Sequence, residues 1–237
     1  MQFLLIPIAT KNFDFVNITD IINHTLRNSL QTRISPYFIY FQILAIVMLV
    51  MLIILRNKVN RLFAWFAFFS YLLFAILQNV SITEKYGLSI ITVNVVMILM
   101  VAYVWLLELK QPLNNYGFKN INLIHTPLIA LAMLAFWFPL DNGELNFTLN
   151  QLLYNGSSLT FCMMTPVFLT IMTVNFPQVN PITYRVTALI GAIIGFYNML
   201  NFADPKLINL ALLHLPLVII SVHALFKSYF SKDRVIE

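Results

Sequence analysis

Seven apolar stretches, each about the 20 residues that a helix needs to cross hydrocarbon, occupy most of this 237-residue chain. They fall at 37–55, 62–82, 86–107, 121–140, 151–175, 181–203 and 206–226. Hydrophobic residues make up 60% of the sequence and charged residues 10%, whereas a water-soluble domain is about half apolar and a quarter charged. In a chain of this size the surplus exceeds what one core can bury, so it faces lipid. The expected fold is an all-α membrane protein, a seven-transmembrane-helix bundle over 37–226. It is preceded by an extracytoplasmic segment, 1–36, and followed by a short basic cytoplasmic tail, 227–237.

The separators are polar or turn-forming: Arg56-Asn57-Lys58, Thr83-Glu84-Lys85, Asn114-Asn115-Tyr116-Gly117, Asp141-Asn142-Gly143-Glu144, Pro177-Gln178-Val179-Asn180-Pro181 and Asp204-Pro205-Lys206. Those after the second and sixth windows are so short that the flanking spans must be antiparallel neighbours. Alternating the loops divides the basic residues unequally. Arg56, Lys58, Arg61, Lys110, Lys119, Arg185, Lys227, Lys232 and Arg234 share one side, and Lys11, Arg27, Arg33, Lys85 and Lys206 the other. Basic residues are retained on the cytoplasmic side, so the expected location is the cell membrane, with the N-terminus outside and the C-terminus inside. Five Asn-x-Ser/Thr sequons, at Asn17, Asn23, Asn79, Asn146 and Asn155, fall on or near the expected outer side.

Residues 14–34 place Phe15, Ile18, Ile22, Leu26, Leu30 and Ile34 at three- and four-residue steps, with Asp20, Arg27 and Arg33 between them. This pattern predicts an amphipathic helix with Asp14 as N-cap, lying on the outer membrane face or capping the bundle. The formal charge of +5 is scattered through short loops. It bears on orientation and offers no clustered patch for nucleic acid. The expected partners are the lipid bilayer and, beyond it, other membrane subunits or further copies of the chain. The lone Cys162 excludes an intramolecular disulfide and a cysteine-rich metal site.

Polar residues inside apolar spans carry the functional information. Gln78 ends the second window, Asn94 lies in the third, and Asn198, Asn201 and Asp204 follow at three-residue steps along one face of the sixth. Asn209 and His214 continue the set in the seventh, where His214 sits near the bilayer centre. Together these residues line an expected outward-facing cavity for a solute or ion, with His214 at its floor. The competing reading makes the asparagines interhelical glue, and makes His214 a core histidine satisfied by a carbonyl that Pro216 loosens.

His125 and His223 lie at matching depths near the cytoplasmic side, as two axial ligands of a b-type haem would. His214 and His223 are nine residues apart, about two and a half turns, so they face opposite ways. No cofactor other than haem b is suggested, and methionine-rich runs such as Cys162-Met163-Met164 read as packing.

The parts of several enzymes and pigments are missing. A retinal protein needs a central lysine in the seventh span, where Lys206 and Lys227 stand at the ends, and an acid in the third, which has only Glu108 at its limit. Neither a Ser–His nucleophile pair nor an acidic metal cluster lies within the spans. Asn180-Pro181-Ile182-Thr183-Tyr184 matches a receptor string but opens the sixth window instead of closing the seventh. The expected function is therefore non-enzymatic: transport or solute binding first, an accessory subunit of a membrane complex second, and a haem-bearing electron carrier third.

Overall fold

The computed structural model describes residues 6–118, 122–141 and 143–230. Lys119, Asn142, Lys232 and Arg234, with the rest of the basic tail beyond 230, lie outside the described residues. The described residues are predominantly helical. Its helices are α1 (Ile18–Arg27), α2 (Leu30–Arg33), α3 (Phe38–Leu55), α4 (Asn60–Leu77), α5 (Thr92–Lys110), α6 (Thr126–Trp137), α7 (Leu149–Tyr154), α8 (Phe161–Asn175), α9 (Pro181–Met199) and α10 (Ile208–Phe230). Five short strands, β1 (Ile8–Ala9), β2 (Val80–Thr83), β3 (Gly87–Ile90), β4 (Leu140–Asp141) and β5 (Glu144–Leu145), form two small antiparallel sheets.

Among the described residues four helical runs are long and apolar enough to cross a membrane, or five if the bent pair Leu149–Leu159 and Phe161–Asn175 counts as one span. These apolar helices mark a membrane protein. The longest run, Ser35–Leu77, has 43 residues and folds back on itself. Gln42 accepts a hydrogen bond from the Ser158 amide and Gln78 one from the Phe161 amide. A straight helix would hold these two glutamines about 54 Å apart at 1.5 Å per residue, yet their partners are three residues apart. The break lies at Arg56, whose φ of 51° is foreign to a helix. Runs α3 and α4 are thus two antiparallel arms.

The seven apolar windows each contain a helix, but they are not seven equal spans. The 12 residues of α6 extend about 18 Å and the 15 of α8 about 22 Å, short of a hydrocarbon core of about 30 Å. The window 121–140 shortens because the chain turns at Phe138, in left-handed conformation, into β4. The window 151–175 divides at Thr160, whose extended backbone separates Leu149–Leu159 from Phe161–Asn175 at an 87° bend. The second and third windows also stand further apart than expected: 78–91 is no helix, since β2 and β3 pair from Val80↔Ile90 to Thr83↔Gly87. Gly87 has φ +62° and its Cα lies so near Thr10 that a β-carbon would clash.

The expected N-terminal helix is broken as well. Asp14 caps only a 3-10 turn, its carboxylate accepting from the Val16 amide at 3.0 Å. Helix α1 ends at Arg27, and Ser29 forms a bridge to Ser81 before α2 begins. The buried line of α1 is Ile21 and Thr25, offset from the expected stripe. The offset has a polar cause. Thr25 Oγ1 lies 2.8 Å from Ser89 Oγ, which lies 2.8 Å from Ser81 Oγ. These buried hydroxyls seat α1 on the hairpin and leave Phe15, Val16 and Leu26 facing outward.

Packing follows the short separators: α4 lies against α5, and α9 against α10. The second pair approaches closely at Gly191 and Gly195, where an added β-carbon would meet Ser221 Oγ at 2.4 Å and Val218 Cγ2 at 2.9 Å. Small residues at this spacing let membrane helices touch along their backbones. An aromatic cluster of Phe63, Trp105, Tyr116 and Phe168 fills the bundle between α4, α5 and α8. The arms therefore define two ends, a sheet end carrying β1–β3 and a loop end carrying the segments around 56–60, 111–118 and 175–180.

Candidate functional site

The residues first expected to form an outer cavity are distributed among separate local bonds. Gln78 Oε1 accepts from the Phe161 amide at 2.7 Å and so caps the start of α8. Asn198 donates to Ile194 O, one turn back in its own helix, at 3.0 Å and lies 3.5 Å from Cys162 Sγ. Asn209 donates to Gly143 O at 2.8 Å, tying α10 to the β4–β5 turn. Asn94 is half-buried in the first turn of α5, Asn201 half-buried in the 3-10 turn Leu200–Ala203, and Asp204 exposed beyond it. The set does share the sheet end. His214 is buried deeper in α10, and its Nδ1 lies 2.7 Å from Leu210 O. A carbonyl can only accept, so Nδ1 carries the proton. The bond stays within one helix, and its acceptor is the Leu210 carbonyl; the one that Pro216 leaves without its helical donor belongs to Leu212.

His125 and His223 both lie toward the loop end, but in different settings. His125 is buried, with Nδ1 accepting from the Asn122 amide at 3.3 Å and Nε2 placed 3.3 Å from Lys227 Nζ. Lys227 also donates to Thr173 O at 2.9 Å. His223 is on the exposed side of α10. Among the described residues no three or more His, Cys, Asp or Glu side chains are grouped as metal ligands.

The most connected polar site is at the loop end, around a residue that sequence reasoning used only to reject a pigment. Glu108, in the last turn of α5, is fully buried. Its Oε1 accepts from the Asn114 amide at 2.7 Å and its Oε2 from Asn180 Nδ2 at 2.8 Å. Asn180 in turn donates its own amide to Asn114 Oδ1 at 2.7 Å, while its Oδ1 accepts from the Ile182 and Thr183 amides and caps α9. Asn60 donates to Asn114 O. Asn57 accepts from the Tyr116 amide at 2.6 Å and donates to Asn115 Oδ1 at 2.7 Å. One carboxylate and a set of asparagines thus clasp the first, third and fifth loops together.

The clasp is incompletely satisfied. Among the described residues Asn60 Oδ1, Asn114 Nδ2 and Trp105 Nε1 are buried and have no hydrogen-bond partner. Burial, and next the Glu108 charge, push the Tyr116 phenol well above its ordinary range. The Asp20–Lys85 bridge, at 2.7 Å, is at the opposite end, so among the described residues no lysine, arginine or histidine pairs with Glu108. Two sequence signals pointed here. Glu108 is the sole acid in the described membrane-length helices, and asparagines recur at 57, 60, 114, 115, 175 and 180. The Asn180-Pro181 string at the start of α9 supplies both the helix cap and a donor to Glu108.

A cleft of about 320 Å³ opens beside the clasp between α5 and α9, and a broader one of about 710 Å³ lies at the sheet end against Asp141, Asn146 and Gln151. No family model, curated protein or solved structure matches this chain.

Proposed function

We propose that this chain is a non-enzymatic, multi-pass protein of the cell membrane that binds a small solute or ion, of the transport type, with Glu108 as its working group. The loop end faces the cytoplasm in this reading. Among the described residues it collects Arg56, Lys58, Arg61, Lys110, Arg185 and Lys227, in keeping with the retention of basic residues on that side. Seven arms (α3, α4, α5, α6, α8, α9 and α10) cross in alternation, α6 and α8 being lengthened by the 3-10 turns Leu123–His125 and Ser157–Leu159.

The observation that carries the reading is the buried Glu108 carboxylate with N–H donors on both oxygens and no cation beside it among the described residues. Buried charges are ordinarily paired or hold an ion, and ionisable groups within membrane helices mark ion or proton paths. Glu108 is in the last turn of α5, close to the aqueous phase of the loop end. The test is flux into liposomes reconstituted with purified protein, followed with dyes for protons, Na⁺ and K⁺. Wild type is expected to move at least one of these ions, and Glu108→Gln to abolish that movement while remaining folded. Wild-type flux equal to that of empty liposomes overturns the reading.

The accessory-subunit reading, in which asparagines pack against partner chains, loses groups it would use, since Gln78, Asn198, Asn209 and His214 are bonded within the chain itself. Co-purification with a second membrane protein at fixed stoichiometry tests it. The haem reading is not carried forward, since both ring nitrogens of His125 already have neighbours and His223 faces outward.

A further inference from the structure

We infer that the cleft between the loop ends of α5 and α9 is a binding site for an anionic phospholipid, its phosphate against Lys110 and its acyl chain along Leu107 and Val104. The inference rests on the chain's being a membrane protein and is independent of what Glu108 does. Along α5 the lining of this cleft of about 320 Å³ passes from Lys110 and Gln111 at the helix end to Leu107 and Val104 behind them. Lys110 and Gln111, both exposed, form its rim at the end of α5. Leu107 and Val104 follow at three-residue steps down the same helix face, Val104 being about 9 Å below Lys110. Across the cleft stand Ile182, at the start of α9, and Leu113, each 61% exposed.

That gradient is the order of groups in a phospholipid: a charge at the interface, then hydrocarbon toward the bilayer centre. A soluble anion would meet one cation over an apolar wall. A neutral lipid would leave the Lys110 ammonium without its complement. The polar floor is already committed, because Thr183 Oγ1 donates to Val104 O and Asn180 is held in the clasp. What remains open to an occupant is apolar surface with a basic rim, the arrangement by which clefts between membrane helices hold anionic headgroups.

The experiment compares retention of phosphatidylglycerol and phosphatidylcholine by the full-length protein in detergent, by native mass spectrometry, with inorganic phosphate as a competitor. Wild type is expected to prefer phosphatidylglycerol about five-fold, the factor one basic residue near an anionic headgroup supplies. Lys110→Gln should reduce the preference to about one, and Lys110→Glu should reverse it. Lys110 is exposed, so both variants should keep the wild-type melting temperature without lipid. Lys58→Gln, which removes an exposed charge from the same end, should leave the preference intact. An equal loss in Lys58→Gln means diffuse attraction and overturns the site. Displacement of the lipid by millimolar inorganic phosphate overturns the acyl-chain half. Absence of any preference in wild type overturns it altogether.

Discussion

Asn180 shows how much one residue can hold in a membrane protein. Its side chain caps α9 through Oδ1, donates to Glu108 through Nδ2, and its amide closes on Asn114. Replacing it by alanine removes a helix cap, which is worth about 1 kcal/mol. It also removes a hydrogen bond to a buried carboxylate, worth about 2 kcal/mol. Asn180→Ala should therefore destabilise the protein by about 3 kcal/mol, read as a fall in thermal midpoint in detergent; a change below about 1 kcal/mol would mean that the clasp bears no load. His214 is the contrasting case. Its Nδ1 bond runs to a carbonyl of its own helix, so that bond ties no second helix. His214→Leu should shift stability by less than about 1 kcal/mol and leave ion flux unchanged, and a loss of flux would restore the outward path through the sheet end. His214 stands out in any hydropathy plot, whereas the partners of Asn180 are 66 and 72 residues away along the chain, a separation that no local pattern encodes.

At the scale of elements, the N-terminal helix is fastened by charge and the C-terminal pair by the absence of side chains. Asp20 on α1 accepts from Lys85 Nζ at 2.7 Å and from the Tyr86 hydroxyl. The Lys85 hydrogen bond, and then that of Tyr86, hold its carboxyl below the usual range. A carboxyl lowered by folding stabilises the folded form above its unfolded value, near pH 4, and that contribution disappears as pH falls through the lowered one. The protection of α1 amides, relative to their intrinsic exchange rates, should thus fall below about pH 4 in wild type. Asp20→Asn should show the lower protection already at neutral pH, with little further response to acid. In the α9–α10 pair, Gly191→Ile would drive a side chain into Ser221 and Thr165, and the overpacking should cost about 1–3 kcal/mol, again read from the thermal midpoint. The helices themselves were legible, because long apolar runs have few alternatives in lipid. The hairpin was hidden by the same property. Val80-Ser81-Ile82-Thr83 alternates as a strand does, and Gly87 supplies the turn, but a 20-residue hydropathy window averages that alternation away.

For the whole molecule the number of crossings turns on α6. This helix has 12 residues against the 18 or more of α3, α4, α5, α9 and α10. Its two flanks lie at opposite ends of the bundle all the same: Asn122 and His125 stand beside Lys227 near the loop end, and Trp137 Nε1 donates to Thr148 O near the β4–β5 hairpin at the sheet end. If α6 crosses, residues on either side of it must be accessible from opposite faces of the membrane. The bilayer then thins around it or borrows length from the adjoining 3-10 turn, at fractions of a kcal/mol per ångström of mismatch. Three exposed positions decide this when changed singly to cysteine in a Cys162→Ala background: Asn17, Lys110 and Thr148. In intact cells a membrane-impermeant maleimide should label Asn17→Cys and Thr148→Cys and spare Lys110→Cys until the membrane is opened. Labelling of Lys110→Cys and Thr148→Cys from the same side would reduce α6 to a re-entrant helix. Protection of Asn17→Cys would reverse the orientation that the basic residues of the loop end support.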